Sequence, residues 1–431
     1  MIKLLLIFTL FQPGDTILTE EKAIELALEN NFAIRLEKYN LEIAKNNNTV
    51  GNAGMLPTVG LNANGSKTIQ DTELEFVNGD SQNRDGAKTT VYNAGASLGW
   101  TLFDGFRMFA TKDRLEEISQ LNEMAFKSQV QNAMSDVLKA FYNTALEQER
   151  LALLESTLKL SEERVAISKE KYEVGKASKL EYLQAQVDYN SDQSALVRQK
   201  EIIAIQKLQL LQLIGIQEGY DSFELSYTHE KSEYLTDLAN IETEAIQQNP
   251  FLKQLKSQQE VSLLTIKENE SDRLPTLDFN LGYNYSNLSA EAGFLQSNVS
   301  SGLTYGLTAT MTLFDGLNRT RTIQNAKILS EQSYTAYEQG EAQLRTAVKS
   351  GILTLQNAQT LAALEEKNLA VAEENVTIAL ERYRVGKSNP IEIREAQNNA
   401  VDAQIRYIEA LNTAKIAEIE LLRLTGNLLK E

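Results

Sequence analysis

The chain carries the same pattern twice, and any fold for it must be built from two like halves. Thr101-Leu102-Phe103-Asp104-Gly105 returns as Thr312-Leu313-Phe314-Asp315-Gly316. Lys171-Tyr172-Glu173-Val174-Gly175-Lys176 returns as Arg382-Tyr383-Arg384-Val385-Gly386-Lys387, and Leu213-Ile214-Gly215 as Leu424-Thr425-Gly426. These three pairs share one offset of 211 residues; Leu56-Pro57-Thr58 matches Leu274-Pro275-Thr276 at an offset of 218. The first copy therefore holds seven extra residues in a turn-rich stretch between those motifs. The expected division is 17–237 for the first copy and 238–431 for the second. Each copy reads helix, two strands, very long helix, tight break, second long helix.

The strand segments alternate with period two. In Leu277-Asp278-Phe279-Asn280-Leu281-Gly282-Tyr283-Asn284-Tyr285 every odd position is apolar or aromatic, and 303–313 keeps that parity. In the first copy Val59, Leu61 and Ala63 alternate with Gly60, Asn62 and Asn64, and Tyr92 through Leu102 alternates likewise. Such strands have one apolar and one polar face. Expected spans are 56–69, 90–103, 275–287 and 302–314. A length of about 10 residues suits a tilted membrane-crossing strand better than a soluble one of about 5–6. Tyr92, Trp100, Tyr283, Tyr285 and Tyr305 fit interfacial aromatic girdles.

The helical blocks are expected at 106–173, 178–214, 317–384 and 389–425, after a first helix from Thr19 to about Asn48. The segment 106–173 has no Pro and no Gly, and a helix of that length reaches about 100 Å, which suits a coiled coil. A seven-residue track runs Leu151, Leu158, Val165, Tyr172, and its counterpart is Ala362, Leu369, Val376, Tyr383. At the breaks, Gly175 and Gly386 fit left-handed helix ends. Ser178 with Glu181 forms a capping box, and Asn389-Pro390-Ile391-Glu392 supplies cap, first-turn proline and the third-position acid. Each break is a tight antiparallel helix hairpin with an exposed tip.

Composition removes whole classes of chemistry. There is no Cys and one His (His229, in a turn-rich connector between Ile216 and Asn240), so thiolate chemistry, disulfides and His-based metal clusters are out of reach, and no metal or other cofactor is expected. Asp plus Glu outnumber Lys plus Arg by 59 to 42, a net charge of −17, which argues against a nucleic-acid partner. Nothing marks a catalytic pair of acids, and no enzyme activity is expected. No apolar run reaches the ~18 residues of a transmembrane helix. Met1 to about Thr16 reads as a secretory signal peptide: Lys3, an apolar core from Leu4 to Phe11, then Pro13-Gly14.

Four membrane strands cannot close a barrel alone, and lipid tolerates no open strand edge. At least two chains must share one, and three chains give 12 strands and room for an aqueous bore. Three chains of two copies also give a pseudo-sixfold ring of helix pairs. A secreted coiled-coil scaffold with a small β-domain is the alternative reading.

These doubled motifs resemble those of TolC-family outer-membrane efflux proteins: the Leu-Pro-Thr strand start, Thr-Leu-Phe-Asp-Gly after the second strand, the Tyr-x-Val-Gly-Lys break and the closing Leu-x-Gly. They cover nearly the whole mature chain. The resemblance implies an α+β membrane protein, a homotrimer whose 12-stranded β-barrel in outer-membrane lipid is continued by an α-helical barrel across the periplasm. It implies an exit duct for small molecules or proteins that docks to a periplasmic adaptor and an inner-membrane transporter of RND or ABC type. The family's adaptor-contacting tips correspond to Val174, Gly175, Lys176, Ala177 and Ser178, and to Val385, Gly386, Lys387 and Ser388. Its periplasmic constriction corresponds to Glu181, Gln184, Glu392 and Glu395, with Tyr383 in the closing hydrogen-bond network; Arg384, next to Tyr383, is expected to supply a counter-charge. Carboxylates ringed about a pore repel one another and attract cations. Ser388 stands where the family usually has a basic residue.

Overall fold

The computed structural model describes residues 16–216, 223–227 and 240–428. The element order is β1 (Thr16–Leu18), α1 (Glu20–Asn30), α2 (Phe32–Asn47), β2 (Thr58–Glu75), β3 (Ser81–Phe103), α3 (Arg107–Glu173), α4 (Lys179–Ile214), β4 (Phe223–Leu225), α5 (Ile241–Gln248), α6 (Pro250–Ser271), β5 (Thr276–Ala290), β6 (Ser297–Thr310), α7 (Asn318–Arg384) and α8 (Pro390–Thr425). Two compact units are present, and each draws on both halves of the chain. One is built from the described parts of 1–40, 123–253 and 338–431, the other from 41–122 and 254–337.

In the second unit β2, β3, β5 and β6 form one antiparallel sheet in that spatial order. Directly opposed residues share a face, so the register decides what each face carries. Val59, Leu98, Leu281 and Tyr305 make one row, and Leu61, Ala96, Tyr283 and Leu303 the next. The other face has Gly60, Ser97, Gly282 and Thr304, then Asn62, Gly95, Asn284 and Gly302. Gly95 is needed there: a Cβ would run into the side-chain oxygens of Asn284 and Asn62. On the apolar face Val59, Leu61, Tyr283, Leu303, Tyr305 and Leu307 are exposed.

The strands differ from the expected spans. β2 runs six residues past 69, β3 begins at 81 rather than 90, and β5 and β6 reach further into their shared turn. Those extensions are polar (Gln70, Asp71, Asn83, Arg84, Asp85) and leave no period-two signature; the register is irregular between Gln70 and Thr72, where Asp71 Oδ1 accepts the Gly86 amide at 2.7 Å. At the other end, 311–314 is not strand.

The Asp-Gly pair of each doubled pentapeptide turns strand into helix. Asp104 Oδ2 accepts the Met108 amide at 2.9 Å, and Asp315 Oδ2 accepts that of Arg319 at 2.8 Å. Gly105 and Gly316 take φ of +72° and +69°, and the bulky residues that follow, Phe106 and Leu317, are also left-handed at +69° and +66°.

In the first unit a core gathers around the middle of α3, where Val130, Met134, Val137, Leu138, Phe141 and Ala145 recur at helical spacing. Against them pack Ala23 and Ala27 of α1, Leu210 and Ile214 of α4, and Ile419 of α8. The parallel pair β1–β4 closes it with Leu18, Phe223 and Leu225. α3 and α7 are each 67 residues, and α4 and α8 each 36.

The first helix does not run unbroken to Asn48. It breaks at Asn31, whose Oδ1 accepts the Ala33 and Ile34 amides and whose Nδ2 donates to the Leu213 carbonyl at 2.7 Å. Asn249 does the same between α5 and α6, accepting from Leu252 and donating to the Leu424 carbonyl at 2.9 Å. The track Leu151, Leu158, Val165 is only half-buried and Tyr172 is exposed; the fully buried positions nearby carry Ser161, Arg164 and Ser168. The signal-peptide segment lies outside the described residues except for Thr16, which opens β1, and so does His229.

Candidate functional site: helix-hairpin tips and the ties between them

Both tips end their first helix the same way. The Lys176 amide donates to the Lys171 carbonyl at 2.8 Å and the Gly175 amide to the Tyr172 carbonyl at 3.0 Å. Lys387 and Gly386 repeat this with Arg382 at 2.8 Å and Tyr383 at 3.1 Å. That pair of bonds is a Schellman motif, which requires the left-handed residue; Gly175 and Gly386 have φ of +73° and +74°. α4 then starts on Ser178, whose Oγ accepts the Glu181 amide at 3.2 Å, and α8 starts on Asn389, whose Oδ1 accepts the Glu392 amide at 2.9 Å. Val174 and Val385 are 62 % and 67 % exposed, apolar side chains held in water by rigid turns. Lys176, Gly175, Gly386 and Lys387 are exposed, while Ala177 and Ser388 are half-buried.

Glu181 and Glu392 meet their caps through their backbone amides, and their carboxylates are used elsewhere. Glu181 Oε1 accepts the Tyr383 hydroxyl at 3.0 Å, which joins α4 to α7. Tyr383 is 2 % exposed, so burial pushes its hydroxyl pKa up, and the Glu181 hydrogen bond adds to the rise. The phenol therefore stays a proton donor. Lys171 of α3 sits 3.7 Å above the Tyr383 ring and donates to its carbonyl at 2.7 Å. Glu392 pairs with Arg382 at 2.9 Å and accepts the Ser388 hydroxyl at 2.7 Å. Ser388 thus serves as a neutral partner for an acid on its own tip. Gln184 donates to Asp188 at 3.1 Å within α4. Glu395 is exposed and makes no hydrogen bond or ion pair among the described residues.

Arg384 does not serve the acids after the glycine. It pairs with Glu163 of α3, and with Glu381 at 2.6 Å. Those bonds hold its pKa above the ordinary guanidinium value. The counter-charge to Glu392 is Arg382 instead.

A further set of residues carries the contact between the hairpins and was not legible in the sequence. Arg394 of α8 grips Asp192 of α4 with two bonds, 2.8 and 2.9 Å, and Ser161 of α3 donates to the same carboxylate. Arg164, 2 % exposed, donates to Asp188 at 2.8 Å and to Gln397 at 3.2 Å. Gln397 reaches back to the Thr157 carbonyl and Ser161 Oγ, both at 3.3 Å. Arg164, Asp192 and Gln397 are therefore almost dry, and each has its hydrogen-bonding capacity directed at a different helix. Buried polar networks of this kind fix one arrangement at small net gain in stability.

The sheet offers a different chemistry. Along β3, Tyr92 to Trp100 spans about 27 Å at ~3.4 Å per residue, or about 20 Å when tilted ~40°, close to a lipid-facing band. The Trp100 indole N–H donates to the Met55 carbonyl at 3.0 Å, so the ring is polar-anchored at one end of this span. Thr58, Gly60, Ser97, Asn280, Asn284 and Thr308 line a shallow hollow on the opposite face, of about 580 Å³. Among the described residues no helix is long and apolar enough to cross a membrane.

The model of the outer membrane efflux protein family matches residues 23–216 and 242–427. The chain belongs to this family. It is 20 % identical over 408 residues to the probable efflux pump outer membrane protein TtgC of Pseudomonas putida, covering 94 % of this chain and 82 % of that one. It is 24 % identical over 266 residues to the alkaline protease secretion protein AprF of Pseudomonas aeruginosa, covering 58 % of this chain and 52 % of that one. The crystal structure of the outer membrane protein VceC from Vibrio cholerae superposes with a TM-score of 0.79 at 16 % identity, covering 94 % of this chain and 96 % of that one. The fold is that of the outer-membrane channels, and this chain is an outer-membrane exit duct that extends into the periplasm.

Proposed function

We propose that three copies of the chain, each built of two structural repeats, close into one 12-stranded barrel in outer-membrane lipid, with their long helices forming an α-helical barrel in the periplasm. The four-stranded sheet is the observation that carries this reading. It has one apolar face, one Gly- and Asn-rich face, and two edges, β2 and β6, each paired on one side only. In lipid an unpaired edge has no water to satisfy it, so the sheet must continue into another chain. The helices support the same reading in their own unit. Leu364, Val371 and Ile378 recur every seven residues along α7 and are exposed, as are Leu180, Leu183, Val187 and Val197 on α4. Apolar seams of this spacing fit helices of a neighbouring copy.

In this reading the polar sheet face lines the bore and the apolar face meets lipid. The tips, 174–178 and 385–388, dock a periplasmic adaptor, which connects the duct to an inner-membrane transporter of RND or ABC type. Both small molecules and proteins fit as cargo, since the named relatives include an efflux pump component and a protease secretion protein. Glu181, Gln184, Glu392 and Glu395 stand at the constriction. The Tyr383–Glu181 bond and the Arg384–Glu163 pair are the ties that hold one protomer's hairpins in place. Glu395, with no partner among the described residues, is the carboxylate best placed to act on passing cations.

Light scattering of detergent-purified protein tests the assembly: a mass of three chains is expected, and a monomer would overturn it. Glu392→Ala with Glu395→Ala in reconstituted pores tests the constriction, with a change in conductance and cation preference expected and no change refuting it. Gly386→Trp tests the tip, where loss of adaptor cross-linking and of export is expected; normal export would refute the assignment.

A further inference from the structure

One pentapeptide occupies two different states in this chain. Thr101-Leu102-Phe103 is the end of β3 and pairs with β5, Thr101 opposite Asp278 and Phe103 opposite Leu277. Thr312-Leu313-Phe314, the same three residues, follows β6 outside any strand, and its Leu313 and Phe314 are 88 % and 78 % exposed. Identical local sequence excludes propensity as the cause. The difference is the neighbour: β5 lies beside the first segment, and among the described residues no strand lies beside the second.

The missing neighbour can be specified residue by residue. β6 corresponds to β3 at the 211 offset and β5 to β2 at the 218 offset. The hairpins themselves check these offsets. Val59 opposes Leu98 in the first, and the same two shifts carry that pair onto Leu277 and Ala309, which oppose each other in the second. Thr58 opposite Gly99 likewise becomes Thr276 opposite Thr310. One remaining seam, β3–β5, joins the first hairpin to the second. Carried forward by the same shifts, it becomes a seam between β6 and the β2 of another copy.

We propose that β6 pairs antiparallel with β2 of the next subunit in one register, with Ala309 opposite Ala63 of the partner subunit. The proposal rests on the oligomeric barrel argued above and goes beyond it in fixing which residues meet. It follows from Leu98 opposite Leu281 within the chain. In this register Leu303 meets the partner's Ile69, Leu307 the partner's Gly65, and Met311 the partner's Leu61, all on the apolar face. Thr308 meets the partner's Asn64 and Thr310 the partner's Asn62, both on the polar face. The irregularity between Thr101 and Phe103 is inherited, so Phe314 meets the partner's Val59 and becomes strand on assembly. A slip by one residue would put Leu303, Leu307 and Met311 on the bore side and is excluded by the pattern of faces. A slip by two keeps the faces, so experiment must distinguish it.

The chain has no cysteine, so paired substitutions report without background. Two in-register variants are made, Ala63→Cys with Ala309→Cys and Asn62→Cys with Thr310→Cys. Adjacent rows belong to the two alternating classes of antiparallel pair, so one of the variants has its Cβ atoms close enough for a disulfide. Leu61→Cys with Ala309→Cys and Gly65→Cys with Ala309→Cys are the two-residue slips. Membranes are oxidised and run boiled and unreduced. An in-register pair should trap most of the protein as covalent dimers and trimers, at least tenfold more than either slipped pair. Preferential linking of a slipped pair overturns the register. No linking in any variant that still scatters light as a trimer overturns the β6–β2 seam while leaving the trimer intact. Monomeric scattering of the unsubstituted protein overturns both.

Discussion

Replacing Arg394 should loosen the two helix hairpins from each other without unfolding either. Its guanidinium holds the Asp192 carboxylate with two bonds, and Asp192 is 8 % exposed. Removing one partner of a buried pair leaves a charge with no solvent to screen it, at a cost of about 3–5 kcal/mol. The Arg394 side chain is 24 % exposed and Ser161 still donates to Asp192, so about 2–3 kcal/mol is the better expectation here. That figure corresponds to about 30- to 150-fold in the local opening equilibrium. Hydrogen exchange reads it directly, in amides of residues 188–200 on α4 and 390–400 on α8, because exchange follows local opening. Arg394→Met should accelerate exchange there by that factor and leave the Val130–Ala145 stretch of the core unchanged. Asp192→Asn should cost less, since the freed guanidinium can turn to solvent. The double variant should exchange more slowly than Arg394→Met alone, because it buries no unpaired charge. Exchange in Arg394→Met within twofold of the unsubstituted protein, or a double variant as fast as the sum of the singles, would show that the Arg394–Asp192 pair does not hold the hairpins together.

Leu281→Arg, on the apolar sheet face, should lower barrel stability by about 2–4 kcal/mol, while Asn280→Arg, one residue along on the other face, should leave stability within about 1 kcal/mol and change conductance; urea titration of refolded protein in lipid separates the two. Burial alone would raise the Glu420 carboxyl, but hydrogen bonds from Arg423 and Lys139 hold it down at about 2, against an ordinary 4.5. Its contribution is present above pH 4.5 and is lost as pH falls towards 2, so Glu420→Gln should flatten that part of the acid-stability curve by on the order of 2 kcal/mol. Tyr383→Phe removes the donor to Glu181 and should raise the mean open conductance of reconstituted pores; an unchanged conductance histogram counts against Tyr383 as a tie. Gly175→Val places a branched side chain at φ +73° and should fray the tip by about 1–2 kcal/mol, read as faster proteolysis at 174–178.

The long helices and their caps were legible because their signals are local. Gly175, Ser178, Gly386, Asn389 and Pro390 each act within four residues of themselves. The alternating strands were legible where one face is apolar, and not beyond, since the polar ends of β2 and β3 pair through backbone groups that every residue carries. The breaks at Asn31 and Asn249 had a signal that went unread, an Asn ahead of a Phe-containing helix start in both copies. The ties between hairpins lay out of reach. Ser161 and Gln397 are 236 residues apart, and Asp192 and Arg394 are 202 apart, so only the packed helices bring them together. The partners of the two tip arginines lay out of reach for the same reason. The side chain of Arg384 leaves its own helix for Glu163, while Arg382 turns to Glu392.

The Gly- and Asn-rich face of the sheet is expected to surround a conducting bore. Single-channel recording on the cysteine-free background tests it, with a charged, water-soluble thiol reagent added to Asn284→Cys and to Tyr283→Cys, neighbours on opposite faces. Asn284→Cys channels should lose conductance in as many as three discrete steps, and Tyr283→Cys channels should not respond. Block at Tyr283→Cys with none at Asn284→Cys would contradict that arrangement, as would a purified, membrane-inserted protein that carries no current.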